Sequence, residues 1–230
     1  MPRVFSLPLL CIALALAFAT NAAARPLAVV PPAGTPDLSQ MVVQPADFAT
    51  AGSIDSDGYV TPPDESIVAT YDRVFGEGIV GGTKVFATES LVNLLDTTDT
   101  AGSLFGGLRG FTHTRQGRRI FVQGFIKGFN AAAGRRALKF RDFRFRRAHS
   151  LGVGDGSFVL PASFTFHGVH VAVDVVEVLS DRAVGSIELA AFGKLRGADV
   201  VTLARAAADH MHAVLVPAPP APPAPPAPYG

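Results

Sequence analysis

Between Arg109 and His149, twelve basic residues meet one acid, Asp142. Guanidinium groups present a fixed fork of donors that matches phosphate and carboxylate oxygens. Anion binding is therefore the chemistry this segment offers. Two patterns lie inside it. Arg115, Arg119 and Lys127, with Gln123, are spaced by four, which places them along one stripe of a helix. Arg141, Arg144, Arg146 and Arg147 interleave with phenylalanines in KFRDFRFRR at 139–147, the pattern of a strand with a charged face. The candidate anion-binding set is thus Arg115, Arg119, Lys127, Arg141, Arg144, Arg146 and Arg147. A competing reading comes from 37–99, where eleven acids face only Arg73 and Lys84. Either the two segments neutralise each other in the folded domain, or the basic one meets an external anion.

Other residue types offer less. The histidines are His113, His149, His167, His170, His210 and His212. His210 and His212 are two apart on a helical pattern and cannot share a face. His167 and His170 flank a turn, but two ligands make no metal site. No metal and no cofactor are expected. Residues 76–81 match GxGxxG, yet a strand pattern follows where a phosphate-binding helix is required, so a hairpin loop is expected. Asp155, in the Gly-rich stretch 152–156, stands alone where a calcium loop needs several oxygens in series. There is no GxSxG elbow and no triad spacing. Paired carboxylates elsewhere in the fold stay open. The chain has 17 Phe and no Trp. A Phe-rich sheet under a helix either forms an ordinary core or encloses an apolar ligand.

The elements that must position these residues follow from periodicity. A short helix is expected over 38–48, broken near Pro45, then strands over 53–61, 66–75 and 84–95. The last has apolar residues at both parities, as in a strand covered on both sides. Leu104, Phe105, Leu108 and Phe111 form one face of a helix that Asp99 can cap. A second helix runs over 116–129, with Phe121, Val122, Phe125, Ile126 and Phe129 as its apolar arc. A strand over 138–145 follows. Phe140 and Phe143 fall at opposite parity, so a β-bulge near Arg141 and Asp142 is needed for a single apolar face. Strands over 157–166, 169–179 and 183–191 form a meander, and 197–216 is the clearest helix. Strand runs divided by a helical block argue for α+β: an antiparallel sheet packed against helices, an α/β sandwich.

The ends read differently. Residues 1–24 have a basic start, an apolar run and the small residues Ala22, Ala23 and Ala24, the pattern of a secretory signal cleaved after Ala24. Residues 25–36 form a linker, 37–216 one globular domain, and 217–230 an Ala-Pro-Pro tail without a core of its own. The single cysteine, Cys11, falls within the signal, so no disulfide holds the domain. After cleavage no transmembrane span is expected. Nucleic acid is not an expected partner of an exported chain, despite the Arg/Phe interleaving found in stacking platforms.

Sixteen of the twenty basic residues are Arg, a bias of GC-rich genomes. The strand YDRVF at 71–75, the loop LGVGDGS at 151–157 and the helix end AAADHMHAVL at 206–215 resemble exported single-domain proteins of GC-rich bacteria. The resemblance implies an α/β sandwich similar to the PsbP/Mog1 type, which hosts binding and accessory modules, and it transfers no catalytic residue. The expected function is a secreted, non-catalytic binding or accessory protein of the cell envelope that contacts an anionic component through 109–149. A carrier of an apolar small molecule, held between sheet and helix, and an enzyme of unknown class are the alternatives.

Overall fold

A computed structural model describes residues 29–132, 140–166 and 168–216, without the side chains of 124–132, 140 and 141. The expected signal at 1–24, the tail at 217–230, His167 and the side chains of Lys127 and Arg141 lie outside the described residues. Ten strands are described: β1 (Ile54–Val60), β2 (Ile67–Phe75), β3 (Gly78–Val80), β4 (Thr83–Val85), β5 (Ala87–Leu95), β6 (Phe140–Phe145), β7 (His149–Ser150), β8 (Gly156–Phe166), β9 (Val169–Ser180) and β10 (Ala183–Phe192). Three α-helices accompany them: α1 (Thr98–His113), α2 (Arg115–Ala132) and α3 (Gly197–Leu215). Eight strands form one antiparallel sheet in the order β1-β2-β5-β10-β9-β8-β6, with β7 also on β8; β3 and β4 form a separate hairpin. The fold is α+β, as the strand and helix blocks imply.

Both faces of this sheet are covered. On one lies α3 with residues 38–48 and the β3–β4 hairpin. Leu203, Ala207 and Met211 of α3 pack there with Val92, Leu94, Val176, Val178 and Ile187. On the other lies α1, whose Ala101, Phe105 and Leu108 pack with Leu95, Phe158, Leu160, Val175 and Val184. Residues of opposite parity therefore serve two cores. That explains why β10 is buried at every position from Ala183 to Ala191. Each fully buried Leu, Ile or Phe contributes about 1.5–3 kcal/mol over an exposed one.

Polar anchors fix the α3 layer. The Arg73 guanidinium donates to Asp57, to the Val43 carbonyl and to Gln44 Oε1 (2.9, 3.2 and 2.9 Å). The Asp199 carboxylate, in the first turn of α3, accepts from Thr83 Oγ1 at 2.6 Å and the Gly82 amide at 3.2 Å. These bonds hold its pKa below the usual carboxylate range, the Thr83 bond foremost.

Several local expectations change. The 38–48 segment is two 3-10 turns, Leu38–Gln40 and Pro45–Asp47, rather than one helix. The strand expected over 84–95 is split at Phe86 into β4 and β5. The GxGxxG segment is the β3 side of a hairpin, with Gly81 at its turn at φ +56°, a conformation open to glycine. Thr97, not Asp99, caps α1 by accepting from the Thr100 amide.

The bulge is where the Arg/Phe parity required it. The β6–β8 register slips between Arg141 and Arg144, so Phe140 pairs with Phe166 while Phe145 pairs with Ala162. Phe143 stacks on Phe164 with centroids 5.6 Å apart, and Phe145 meets Phe121 at 5.5 Å, both on the α1 face. The extra residue is Asp142, at φ +55°. Because a β-branched side chain is strained there, Asp142→Val is expected to lower stability by about 1–2 kcal/mol in urea unfolding, with Asp142→Gly neutral or stabilising.

Candidate functional site

The edge strands of the acidic and basic segments lie far apart. β1 and β6 are opposite edges of the sheet. Six inter-strand steps of about 4.8 Å put them roughly 29 Å apart, well beyond a Debye length of about 8 Å. Three of the acids are paired away from the basic segment: Asp57 with Arg73, Glu77 with Lys84 and Asp47 with His210 of α3. Among the described residues no ion pair joins 37–99 to 109–149.

The predicted basic set is divided between the two faces of the sheet. Arg115 and Arg119 are exposed on α2, on the α1 side. Arg144 pairs in register with Ser163, at a position alternating with the inward phenylalanines, so it belongs to the α3 face; the Arg141 backbone pairs with Thr165. Arg144, Arg146 and Arg147 are exposed. The structure thus brings Arg144 and Arg146 together and keeps the helix stripe apart from them.

What Arg146 enters is a cleft of about 490 Å³ on the α3 face. Its floor is the outward parity of β8 and β9. One wall is the loop 193–195 with the first turns of α3, and the other is the segment from Arg146 to Leu151. This wall exists because of Pro161. A proline inside a strand lacks the amide that a neighbour's carbonyl would need, and it is tolerated where the neighbouring strand is interrupted. Here the edge strand breaks between Phe145 and His149, and the Pro161 carbonyl accepts the Arg146 amide at 2.9 Å. The chain leaves the ladder there, and Arg146 and His149 come to line the cleft.

Four cationic or titratable nitrogen side chains surround this space: Arg146, His149, His170 and Lys194. All four are exposed, and among the described residues none makes a side-chain hydrogen bond or a salt bridge. Ser150 and Ser163 add hydroxyls, and Val159, Leu195, Val200 and Val201 add apolar surface. The first turn of α3 closes this side of the cleft, its Asp199 turned to the β3–β4 hairpin. The one carboxylate is Asp174. Burial pushes it up to about 6, while His149 and Arg146 pull the other way.

Sequence reading singled out Arg146 and missed Asp174 and Lys194. It weighed His149 and His170 only as metal ligands. The sequence does carry one signal for this place, Pro161 within the strand run 157–166, which interrupts the neighbouring edge. Among the described residues no group of three or more His, Cys, Asp or Glu is placed to hold a metal ion. The paired carboxylates left open by the sequence do exist, as Glu89 opposite Glu188. They lie under α1 at 3% and 2% exposure, away from the cleft. The apolar space between α1, α2 and the sheet is about 20 Å³ among the described residues. A small-molecule carrier needs roughly 300 Å³ or more.

Asp174 gives a test of the cleft's electrostatics. Its folded value lies above the unfolded one, so its contribution to stability is complete below about pH 4 and lost as pH rises through about 6. Asp174→Asn is therefore expected to match the wild type in urea unfolding near pH 4 and to exceed it at pH 8.

No protein-family model matches the sequence, and no curated protein matches it at a significant level. Among solved structures the extracellular domain of PknH from Mycobacterium tuberculosis is similar at TM-score 0.35 and 10% identity, over 63% of this chain and 64% of that one. The matched part thus falls short of two thirds of that domain, and a likeness of this size carries no statement about function.

Proposed function

We propose that the protein is an exported, non-catalytic binding domain of the cell envelope whose cleft beside α3 takes an anionic ligand. One observation carries this reading. Arg146, His149, His170 and Lys194 converge on a cleft of about 490 Å³ without an ion pair among the described residues, against one carboxylate, Asp174, in the lining, and with β1 of the acidic segment at the opposite edge of the sheet. Arg144 extends the positive rim. The apolar lining suits a ligand with a hydrocarbon or ring portion behind its anionic group. The signal pattern at 1–24 supports export, and the tail at 217–230 suits a spacer that holds the domain away from a surface. Among the described residues no helix is long and apolar enough to cross a membrane.

Inorganic polyphosphate serves as the probe. Retention of the protein on immobilised polyphosphate is expected to fall with salt, because exposed charges are screened over about 8 Å at physiological ionic strength. Arg144→Glu with Arg146→Glu should weaken retention by roughly tenfold or more, whereas Arg115→Glu with Arg119→Glu should leave the cleft contribution in place. Equal loss from both pairs would show a diffuse charge effect and overturn the cleft as the site.

A further inference from the structure

Four acidic side chains stand on the α1 face of the sheet, one on each of four consecutive strands: Asp72 on β2, Glu89 on β5, Glu188 on β10 and Glu177 on β9. Glu89 and Glu188 are direct cross-strand partners. Asp72 pairs with Leu91 and so lies diagonal to Glu89. Glu177 pairs with Ser186 and lies diagonal to Glu188. Directly opposed Cβ atoms sit about 4.5–5.5 Å apart and diagonal ones about 7–8 Å. The four carboxyls therefore form a ladder across the sheet. Glu89, Glu177 and Glu188 are 2–3% exposed. Asp72, at the margin of the ladder, is half-buried.

Nothing cationic meets this ladder among the described residues. Ser186 Oγ donates to Glu177 Oε1 at 3.1 Å, and the Arg73 amide bears on Asp72. Both carboxyl oxygens of Glu188, Oε2 of Glu89 and Oδ1 of Asp72 are buried without a partner. α1 covers the face with Ala101, Phe105 and Leu108, while its Asp99, Arg109 and His113 are exposed. On α2, Arg115 and Arg119 are exposed, and Arg118 donates to the His113 carbonyl. From β1, Asp57 adds a further negative charge that acts on Asp72. The cavity touching the ladder, beside Glu177, is about 20 Å³, room for about one water. That is too little for a cation with its ligands.

The ligand that fits is the proton. A carboxylate removed from water without a partner costs several kcal/mol, and two side by side repel as well. Burial first, and the neighbouring acids second, raise Glu89 and Glu188 well above the ordinary carboxylate range. Burial likewise lifts Asp72 to about 7 and Glu177 to about 8.

We infer that the Glu89–Glu188 pair is a proton-held latch: in the protonated form it lets α1 and the start of α2 seal this face of the sheet, and its ionisation releases them. The proton leaves to solvent past Asp72, the half-buried end of the ladder. The direction follows from linkage. Folded values above the unfolded ones give stability that is complete below about pH 4 and lost progressively as pH rises from there through the folded values, which lie at about 7 for Asp72, about 8 for Glu177 and well above the ordinary carboxylate range for Glu89 and Glu188.

The test is amide hydrogen exchange of the full chain near pH 5.5 and 8.5, corrected for intrinsic rates. Peptides from α1 are expected to lose protection by about tenfold or more at the higher pH, while β8 and β9 keep theirs. In Glu89→Gln with Glu188→Gln that pH dependence should vanish. Equal loss of protection across sheet and helices, or an unchanged pH dependence in the variant, would overturn the latch. Should the variant not fold, carboxyl carbon NMR of the wild type decides. Two glutamates besides Glu177, assigned by their loss in the Glu89→Gln and Glu188→Gln single variants, are expected to titrate well above the ordinary carboxylate range, and midpoints near the ordinary value for both would overturn it.

Discussion

An antiparallel sheet covered on both faces has few places for charge. Its inner strands must be apolar at both parities, which leaves the edges, the loops and the outer sides of the helices. The molecule follows from that constraint. β10 lies at the centre and is buried along nearly its whole length, with α3 on one side and α1 on the other. The acids gather towards β1 and β2 and the arginines towards β6. A chain that is nearly neutral as a whole becomes a domain with oppositely charged ends.

The same constraint makes the exceptions informative. Arg73 is buried, yet its guanidinium is satisfied by Asp57, Gln44 and the Val43 carbonyl. The carboxyls of Glu89 and Glu188 are buried as deeply and have no such partners. Buried polar groups are ordinarily hydrogen-bonded, so one arrangement is structural cement and the other is a site of stored tension. The cleft beside α3 is a third kind of exception. It arises where a strand loses its neighbour, so its polar lining is reached from solvent and carries no burial cost of that size.

Much of the fold was legible in the sequence. Period-two runs locate β1, β2, β8, β9 and β10, and the helical spacing of Val200, Leu203, Ala207, Met211 and Val214 locates α3. The parity conflict between Phe140 and Phe143 calls for a bulge from the sequence itself, since one apolar face is the stable solution. Short elements were not legible: β3, β4 and β7 span two or three residues, too few for a period to show. The candidate site was legible only in part. Local sequence placed the arginines on a strand and a helix, but strand order, a long-range property, decided that these lie on different faces. Acids inside apolar runs, as in VAVDVVEVLS and VGSIELAAF, carried a signal of buried charge that periodicity alone passed over.

The bulge at Asp142 has a consequence for encounters between molecules. A long, flat, unpaired strand offers its amides and carbonyls to any passing chain, and that is how sheets grow into aggregates. The β6 edge is only six residues long, bent by its positive-φ residue, and lined with arginines on its open face. It then stops opposite Pro161, which has no amide to give. Two copies approaching edge to edge along β6 would bring like charges together over a strand too short and too twisted to zip. The residues that leave this edge open to an anion also make it a poor template for another strand.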